Sequence, residues 1–595
     1  MDAPLSRSGG TRARRLLAEA ALLVLVVATA LFAVRSHERA DAPTFDEAIH
    51  LFSGAEALED GSGWLNPEHP PLLKLAGALA LRPLRLATPC SIAPCDVSSP
   101  FNGYLRWLYA NAAPAHAIVH AGRRPFPWLL ALLALTLYLA ARSLAGPAAG
   151  ILAAGVVALD PTFVAHAAYV HTDVGAALGF LAVTVLAARA ACRASLVWWL
   201  GAGLALGLAL ATKFSAVLLV PVVAAAPFLT LVPLPGQPAA RPARDVTRDR
   251  VVGAFVALSL ASIVLYAVSS FVVRNMAPQV AESAVRSYLE GRDARPDEVS
   301  LHGRLAGLSP PVGHWAGGLA GVRILSERGR GANWFRGETS EEGFPLYFPA
   351  VFLLKSTPAF LVLLAAAASI AARRLRSAAG PDAGPSGEPA RAVLLAGVVA
   401  VGYFAVSTTS AFNIGARHLL PAWALLAFAA SVVLGRRLAP RRRGLAAAVL
   451  VAATGASLAS AAASPIAYFN VLAGGSEGGR RWFSDSNVDW GQDLYRLHLF
   501  LAERGWEETT TIVAYSGVAT DYYSRRCRLL DTAKPFGPGR YAVSHVMETL
   551  GYPFTKGIEG EAAARQVEAL VKELRARGRR IALVGGSITV WELPG

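Results

Sequence analysis

A chain of 595 residues that is 54% hydrophobic and only 16% charged carries more apolar side chain than a water-facing surface accommodates, which excludes an ordinary soluble protein. The formal net charge of +15 does not point to nucleic acid, because the arginines gather in short runs between long apolar segments, as in the cytoplasmic loops of membrane proteins. Of the 4 cysteines only Cys90 and Cys95 lie close in sequence, which suggests a local disulfide staple in an oxidising compartment rather than a thiol metal site.

In chain order, the apolar run Leu16 to Val34 follows Arg12, Arg14 and Arg15. No small-residue cleavage site and soluble sequence follow it, so it reads as a retained helix with residues 1–16 in the cytoplasm. Residues 35–125 are mostly polar; Leu72 to Leu81 within them is too short and proline-flanked to cross about 30 Å of hydrocarbon and is expected along the membrane surface. Apolar spans follow near 126–141, 147–161, 173–190, 196–211, 214–232, 251–273, 350–372, 392–408, 418–435 and 445–464, about eleven with the first, which defines an α-helical polytopic membrane protein. Alternation from a cytoplasmic N-terminus places Arg142, Arg189, Arg193, Arg241 to Arg250, Arg373 to Arg376 and Arg436 to Arg443 inside. The other side then receives the loops 35–125 and 274–343, the turns Asp160–Thr172 and Ser407–Arg417, and everything after Ser464. Residues 466–595 show short strand patterns at Thr511–Tyr515, Tyr541–Val546, Ile581–Val584 and Ile588–Trp591, with helical patterns at Gly491–Arg504 and Glu561–Arg577. That alternation predicts a small extracytoplasmic α/β domain.

Polar residues that can do chemistry fall on the extracytoplasmic side. Asp46 and Glu47 are adjacent carboxylates beyond the first helix, and a carboxylate flanked by lipid and protein is a general base whose pKa rises on burial. The competing reading is a solvated helix cap. Glu68 and His69 precede Pro70 and Pro71, and with His50, His166 and His171 they offer ligands for a divalent cation or contacts for a phosphate. Asp160 and Asp173 bound a dense polar turn, as functional groups or as helix caps. Lysine is scarce here, yet Lys213 and Lys355 lie in or beside apolar segments; with Arg417 and His418 they would cradle a lipid phosphate, or individually snorkel to headgroups.

Taken in order, these motifs resemble the membrane-embedded glycosyltransferases of the protein O-mannosyltransferase and aminoarabinose transferase superfamily, which have the GT-C fold. The resemblance is carried by Asp46-Glu47, Glu68-His69-Pro70-Pro71-Leu72, Thr172-Asp173 and Arg417 to Pro421. A bacterial branch is matched by Gly337-Glu338, Tyr347-Phe348-Pro349, Lys355 to Pro358, Tyr468-Phe469-Asn470 and Asp485 to Asp493. It implies a GT-C-type catalytic domain over 17–465 and inverting transfer of a sugar from a polyprenyl-phosphate donor at the extracytoplasmic face of the plasma (inner) membrane. The acceptor is a protein hydroxyl, a lipid or a glycan, with protein glycosylation and cell-envelope assembly as settings. Asp46 is the implied general base, with Glu47 and Asp173 as further catalytic candidates, and His69, Lys213, Lys355, Arg417 and His418 as donor-phosphate contacts. Glu68, by analogy, with His50 and His171, is a candidate ligand of a divalent metal ion; no other cofactor is implied. His69 stands where some relatives carry a lysine. An oligosaccharyltransferase or polysaccharide ligase shares the lipid-linked donor, and a large acceptor domain would favour it. A transporter or lipid flippase would call for internal repeats and midplane charges, whereas the charges here sit at helix ends. A non-catalytic scaffold would leave Asp46 and Asp173 far apart.

Overall fold

The computed structural model describes residues 7–92, 103–232, 244–329, 331–376, 387–514, 522, 523 and 525–595. The expected Cys90–Cys95 staple falls outside them, because Cys95 is not among the described residues. Cys192 and Cys527 are free.

All eleven apolar segments are helical. Among the described residues, 8 helices are long and apolar enough to cross a bilayer, from Ala13–Glu38 to Pro440–Ser460. Two segments are shorter: Pro147–Ala158 has 12 residues and Leu196–Leu210 has 15, about 18 and 23 Å against roughly 30 Å of hydrocarbon. The single span expected at 350–372 is a broken pair, Tyr347–Lys355 and a helix starting at Pro358, bent by 107°. Pro358 has no N–H to continue the ladder and pushes Thr357 out of helical backbone. Pieces Phe214–Leu218, Leu219–Ala225 and Ala226–Leu231 make up another span, 3₁₀ at both ends, with Pro221 and Pro227 interrupting its hydrogen bonds.

Asp173–Arg193 and Ala416–Arg437 form the centre of the bundle, with 78% and 83% of their apolar windows buried, against 22% for Val246–Val272 at the edge. Close approach there depends on missing side chains: a Cβ at Gly203 would stand 2.5 Å from the Ala257 carbonyl, and one at Gly207 would stand 2.7 Å from Val264. The four-residue spacing brings Leu196–Leu210 onto Arg244–Val272.

Both expected loops are folded. The first holds helices Phe45–Glu59, Leu72–Leu79, Tyr104–Tyr109 and Ala115–Arg123. Its apolar piece packs within the loop, against Phe45–Glu59 and Ala115–Arg123. The second holds Pro278–Glu290, Pro296–Leu308 and Pro310–Arg328, each opened by a proline, and then the hairpin β1 (Asn333–Phe335) and β2 (Glu338–Ser340).

The tail carries β3 (Thr510–Val513), β4 (Arg528–Leu529), β5 (Gly539–Ser544), β6 (Arg579–Val584) and β7 (Ile588–Leu593) in one sheet of order β4-β3-β5-β7-β6. The β4-β3-β5 side is parallel and the β5-β7-β6 side antiparallel. Helices Leu494–Arg504 and Glu561–Arg577 match the sequence patterns, while His545–Glu559 and β4 were not expected. Residues 466–493 precede the sheet and thread along the bundle. Asn470 donates from Nδ2 to the carbonyls of Leu353 and Ser356 at 2.7 and 2.8 Å, filling acceptors exposed by the helix break.

Candidate active site

At one end of the bundle a cavity of about 660 Å³ is lined by Asp46, His69, His171, Lys213, Arg417, His418, Asp485 and Trp490. Its remaining wall is largely apolar, with Phe214, Leu218 and Val406 from the bundle, Val322 and Leu325 from the second loop, and Leu550 and Phe554 from the tail helix.

Asp46 reaches this cavity because its neighbours fix the chain before it. Thr44 caps the helix Phe45–Glu59, its backbone N–H donating to Glu47 Oε2 at 2.8 Å. Consecutive helical residues point about 100° apart, so Glu47 faces inward as Asp46 faces the cavity. Arg123 donates to both Glu47 oxygens at 2.8 and 2.7 Å and to the carbonyls of Glu38, Asp41 and Ala42 at 3.0, 3.3 and 3.0 Å. Val170 N–H adds a bond to Glu47 Oε1 at 2.9 Å. Glu47 is therefore buried and saturated, and the expectation that it faces substrate is corrected: it positions the loop that carries Asp46.

Arg417 Nη1 donates to Asp46 Oδ2 at 3.0 Å and approaches His171 Nε2 at 2.6 Å. Its guanidinium lies 4.2 Å from the Trp490 ring centre. His171 Nδ1 faces the Asp173 carboxylate, which also pairs with Lys213. Asp46 and Asp173 thus meet on one imidazole, against the scaffold reading. Burial acts to raise the Asp46 carboxyl, but Arg417 and His171 overcome it and hold it well below the usual carboxylate range. The expectation of a raised value is reversed because the sequence did not reveal the guanidinium partner. Burial pushes His50 and His69 well down, so both imidazoles are neutral.

Two further expectations are corrected. Lys355 is buried outside the cavity, donating to the Ile466 and Asn487 carbonyls at 2.6 and 2.7 Å, and so fastens the broken helix to the tail. Glu68 lines the cavity but is ion-paired with Arg292 from the second loop, whose guanidinium lies 3.9 Å from the Tyr288 ring centre. Asp160 accepts from the N–H groups of Thr162 and Phe163 at 2.8 and 3.4 Å, the capping role. His166 is buried against Trp490, apart from the other histidines. Those others, His50, His69 and His171, bring one ring nitrogen each within 4.8 Å of one another and are the residues that fit a metal.

The structure adds Arg123, Arg292, Asp485 and Trp490. Asp485 takes a left-handed backbone, φ 54°, at the mouth of the tail segment, and its Oδ1 accepts from Ser486 N–H at 2.5 Å. Burial, opposed by Arg417, raises its carboxyl to about 6. The Asp485 to Asp493 motif was the available signal, but nothing in it indicated which carboxylate enters a cavity built from helices hundreds of residues earlier.

These features define a polytopic membrane protein with a buried ion-pair site where the spans, the first loop and the tail meet. Residues 120–266 match the family described as dolichyl-phosphate-mannose-protein mannosyltransferase. No curated protein matches the chain. Among solved structures, ArnT from Cupriavidus metallidurans bound to undecaprenyl phosphate is 15% identical, with 96% of this chain and 97% of that chain covered and a TM-score of 0.45. The oligosaccharyltransferase of Archaeoglobus fulgidus in its apo form is 12% identical, with 92% and 72% covered and a TM-score of 0.48. Over residues 120–266, about a quarter of the chain, the sequence is thus similar to that mannosyltransferase family.

Proposed function

We propose that this chain moves one sugar from a polyprenyl-phosphate donor to an acceptor hydroxyl at the extracytoplasmic face of the plasma membrane, with inversion and with Asp46 as general base. The observation that carries this reading is the Arg417 bridge between Asp46 and His171 inside a cavity with a largely apolar wall. The wall suits an isoprenoid chain, and Arg417, Lys213 and His418 suit the phosphate. The acceptor oxygen bonds to the sugar anomeric carbon as the bond from that carbon to the phosphate oxygen breaks. The hydroxyl proton passes to Asp46, and polyprenyl phosphate leaves with the bonding electrons.

The ion pair makes the order of events physical. While Arg417 neutralises Asp46, the carboxylate is a poor base. A donor phosphate that draws Arg417 toward itself removes the charge depressing Asp46, so the base gains proton affinity only when the donor is present. Negative charge developing on the leaving phosphate meets the same guanidinium.

The charge distribution supports this orientation. Asp173 opens and Arg193 closes a 21-residue helix of about 30 Å. At the far end from the cavity Arg193 pairs with Glu388 at 3.0 Å, Arg142 with Glu19 at 2.5 Å, and Arg436 donates to the Leu144 carbonyl at 3.1 Å. An arginine-rich end suits the cytoplasmic side, which supports a cavity and tail domain on the outside. Purified protein given radiolabelled polyprenyl-phosphate sugars and membrane extract is expected to release polyprenyl phosphate and label an acceptor, with Arg417→Gln raising the donor KM. Absence of transfer across hexosyl and pentosyl donors contradicts the proposal.

A further inference from the structure

His50 comes from the helix Phe45–Glu59, His69 from the turn before Pro70, and His171 from the turn before Asp173. Their ring centres are 4.8, 5.4 and 5.7 Å apart, each pair edge to face. One ring nitrogen of each lies within 4.8 Å of the other two. His50 is 1% exposed and its Nε2 has no hydrogen-bond partner, while its Nδ1 lies 3.1 Å from Asn66 Nδ2. A buried polar nitrogen without a partner forfeits the hydrogen bonds it would make in water, so a cluster that leaves one facing two more imidazoles calls for a ligand.

We propose that His50, His69 and His171 bind a divalent cation of the zinc and cobalt type, with the remaining coordination position open to the cavity. A set of three imidazoles suits borderline metals and is a poor one for magnesium or calcium, which take oxygen. Zinc–nitrogen bonds of about 2.0–2.1 Å set tetrahedral nitrogens about 3.4 Å apart, so the widest pair closes by about 1.4 Å or less. The surroundings are those of a built site. His171 turns Nδ1 to Asp173, the carboxylate support that fixes a ligating ring and leaves Nε2 for the metal. Asp46 is balanced by Arg417 and Asp173 by Lys213, so the incoming cation meets no net positive cluster. His69 and His171 line the cavity, which puts the open position where a phosphate or hydroxyl oxygen arrives. Glu68 is excluded from the ligand set by its pair with Arg292.

One contact sets the direction of a test. Arg417 lies 2.6 Å from His171 Nε2, the atom the metal takes, so guanidinium and metal compete for it. Protein carrying a histidine-free affinity tag is stripped with chelator, loaded with Zn²⁺ or Co²⁺ and dialysed, and its metal is counted by mass spectrometry. Wild type is expected to hold about one ion per chain, with a tetrahedral Co²⁺ visible spectrum and imidazole scatterers in X-ray absorption. His50→Asn with His69→Asn loses the ion, Glu68→Gln keeps it, and Arg417→Gln binds it more tightly. X-ray absorption on wild type needs no variant to fold. Metal-free wild type, a spectrum without imidazole ligands, or retention equal to wild type in the double histidine variant overturns the proposal. The readout is metal content, so failure of the transferase reading leaves it standing and its own failure leaves that reading untouched.

Discussion

Arg123→Met severs the anchor of the loop that presents Asp46. It leaves Glu47, 0% exposed, as a buried carboxylate with only the Thr44 and Val170 contacts, and it strands the carbonyls of Asp41 and Ala42. Removing one partner of a buried pair costs about 3–5 kcal/mol. At about 2.1 cal/mol/K per residue a chain of this size unfolds with an entropy near 1.2 kcal/mol/K, so the loss corresponds to a melting point lower by about 3 °C. The functional loss is larger than that figure suggests, because displacing a reacting group by about 1 Å costs about 10²-fold in rate. Melting in detergent and sugar transfer are measured on Arg123→Met, Arg123→Lys and the double variant Arg123→Met with Glu47→Gln. The double variant recovers part of the stability, since the amide buries no charge, but not the activity. Arg123→Lys falls between, since an ammonium cannot reproduce the forked contact with both Glu47 oxygens. An Arg123→Met protein that melts and turns over like wild type refutes the positioning role.

Lys355→Met loses two hydrogen bonds to buried carbonyls and is expected to lower stability by about 1–3 kcal/mol while leaving the donor KM of the folded fraction within about twofold of wild type; a large KM increase would return Lys355 to the phosphate site. Asp485 opposes the donor phosphate by like charge beside Arg417. Its carboxyl titrates at about 6, so it is ionised above that pH and neutral below it. The wild-type donor KM is therefore expected to fall as pH drops from above 6 to below it, whereas Asp485→Asn has the low KM throughout; parallel profiles for the two proteins contradict this. The close packing at Gly203 and Gly207 predicts that Gly203→Leu destabilises the bundle, read as lower melting and aggregation on extraction, while Gly397→Ala, whose Cβ meets nothing within 4 Å, leaves both unchanged.

Hydropathy located every helical segment of the bundle, because an 18-residue apolar run has few other uses, and the arginine runs picked out one end of it. It could not show that Pro358 breaks a span at a right angle, nor that 274–343 is three helices, since both depend on short polar stretches whose partners lie elsewhere. Asp46, His69, His171, Lys213, Arg417 and His418 were legible because each is a charged or imidazole group at the edge of an apolar segment, where function is the economical explanation. Glu47 and Lys355 share that description and do structural work, because the side a residue faces is set by helical phase and long-range contact rather than by its type. Arg123 and Arg292 were lost among many arginines. Asp485 and Trp490 lay in a motif without a visible partner, which Arg417 supplies only in three dimensions.

The central claim is that a carboxylate at position 46 takes the acceptor proton. The direct measurement is single-turnover transfer of radiolabelled sugar from its polyprenyl phosphate by wild type and Asp46→Asn, with folding of both checked by size exclusion and melting. A loss of about 10²- to 10⁴-fold in the chemical step with donor binding retained is the predicted result. Equal single-turnover rates for the two folded proteins would remove Asp46 from the reaction and the account with it.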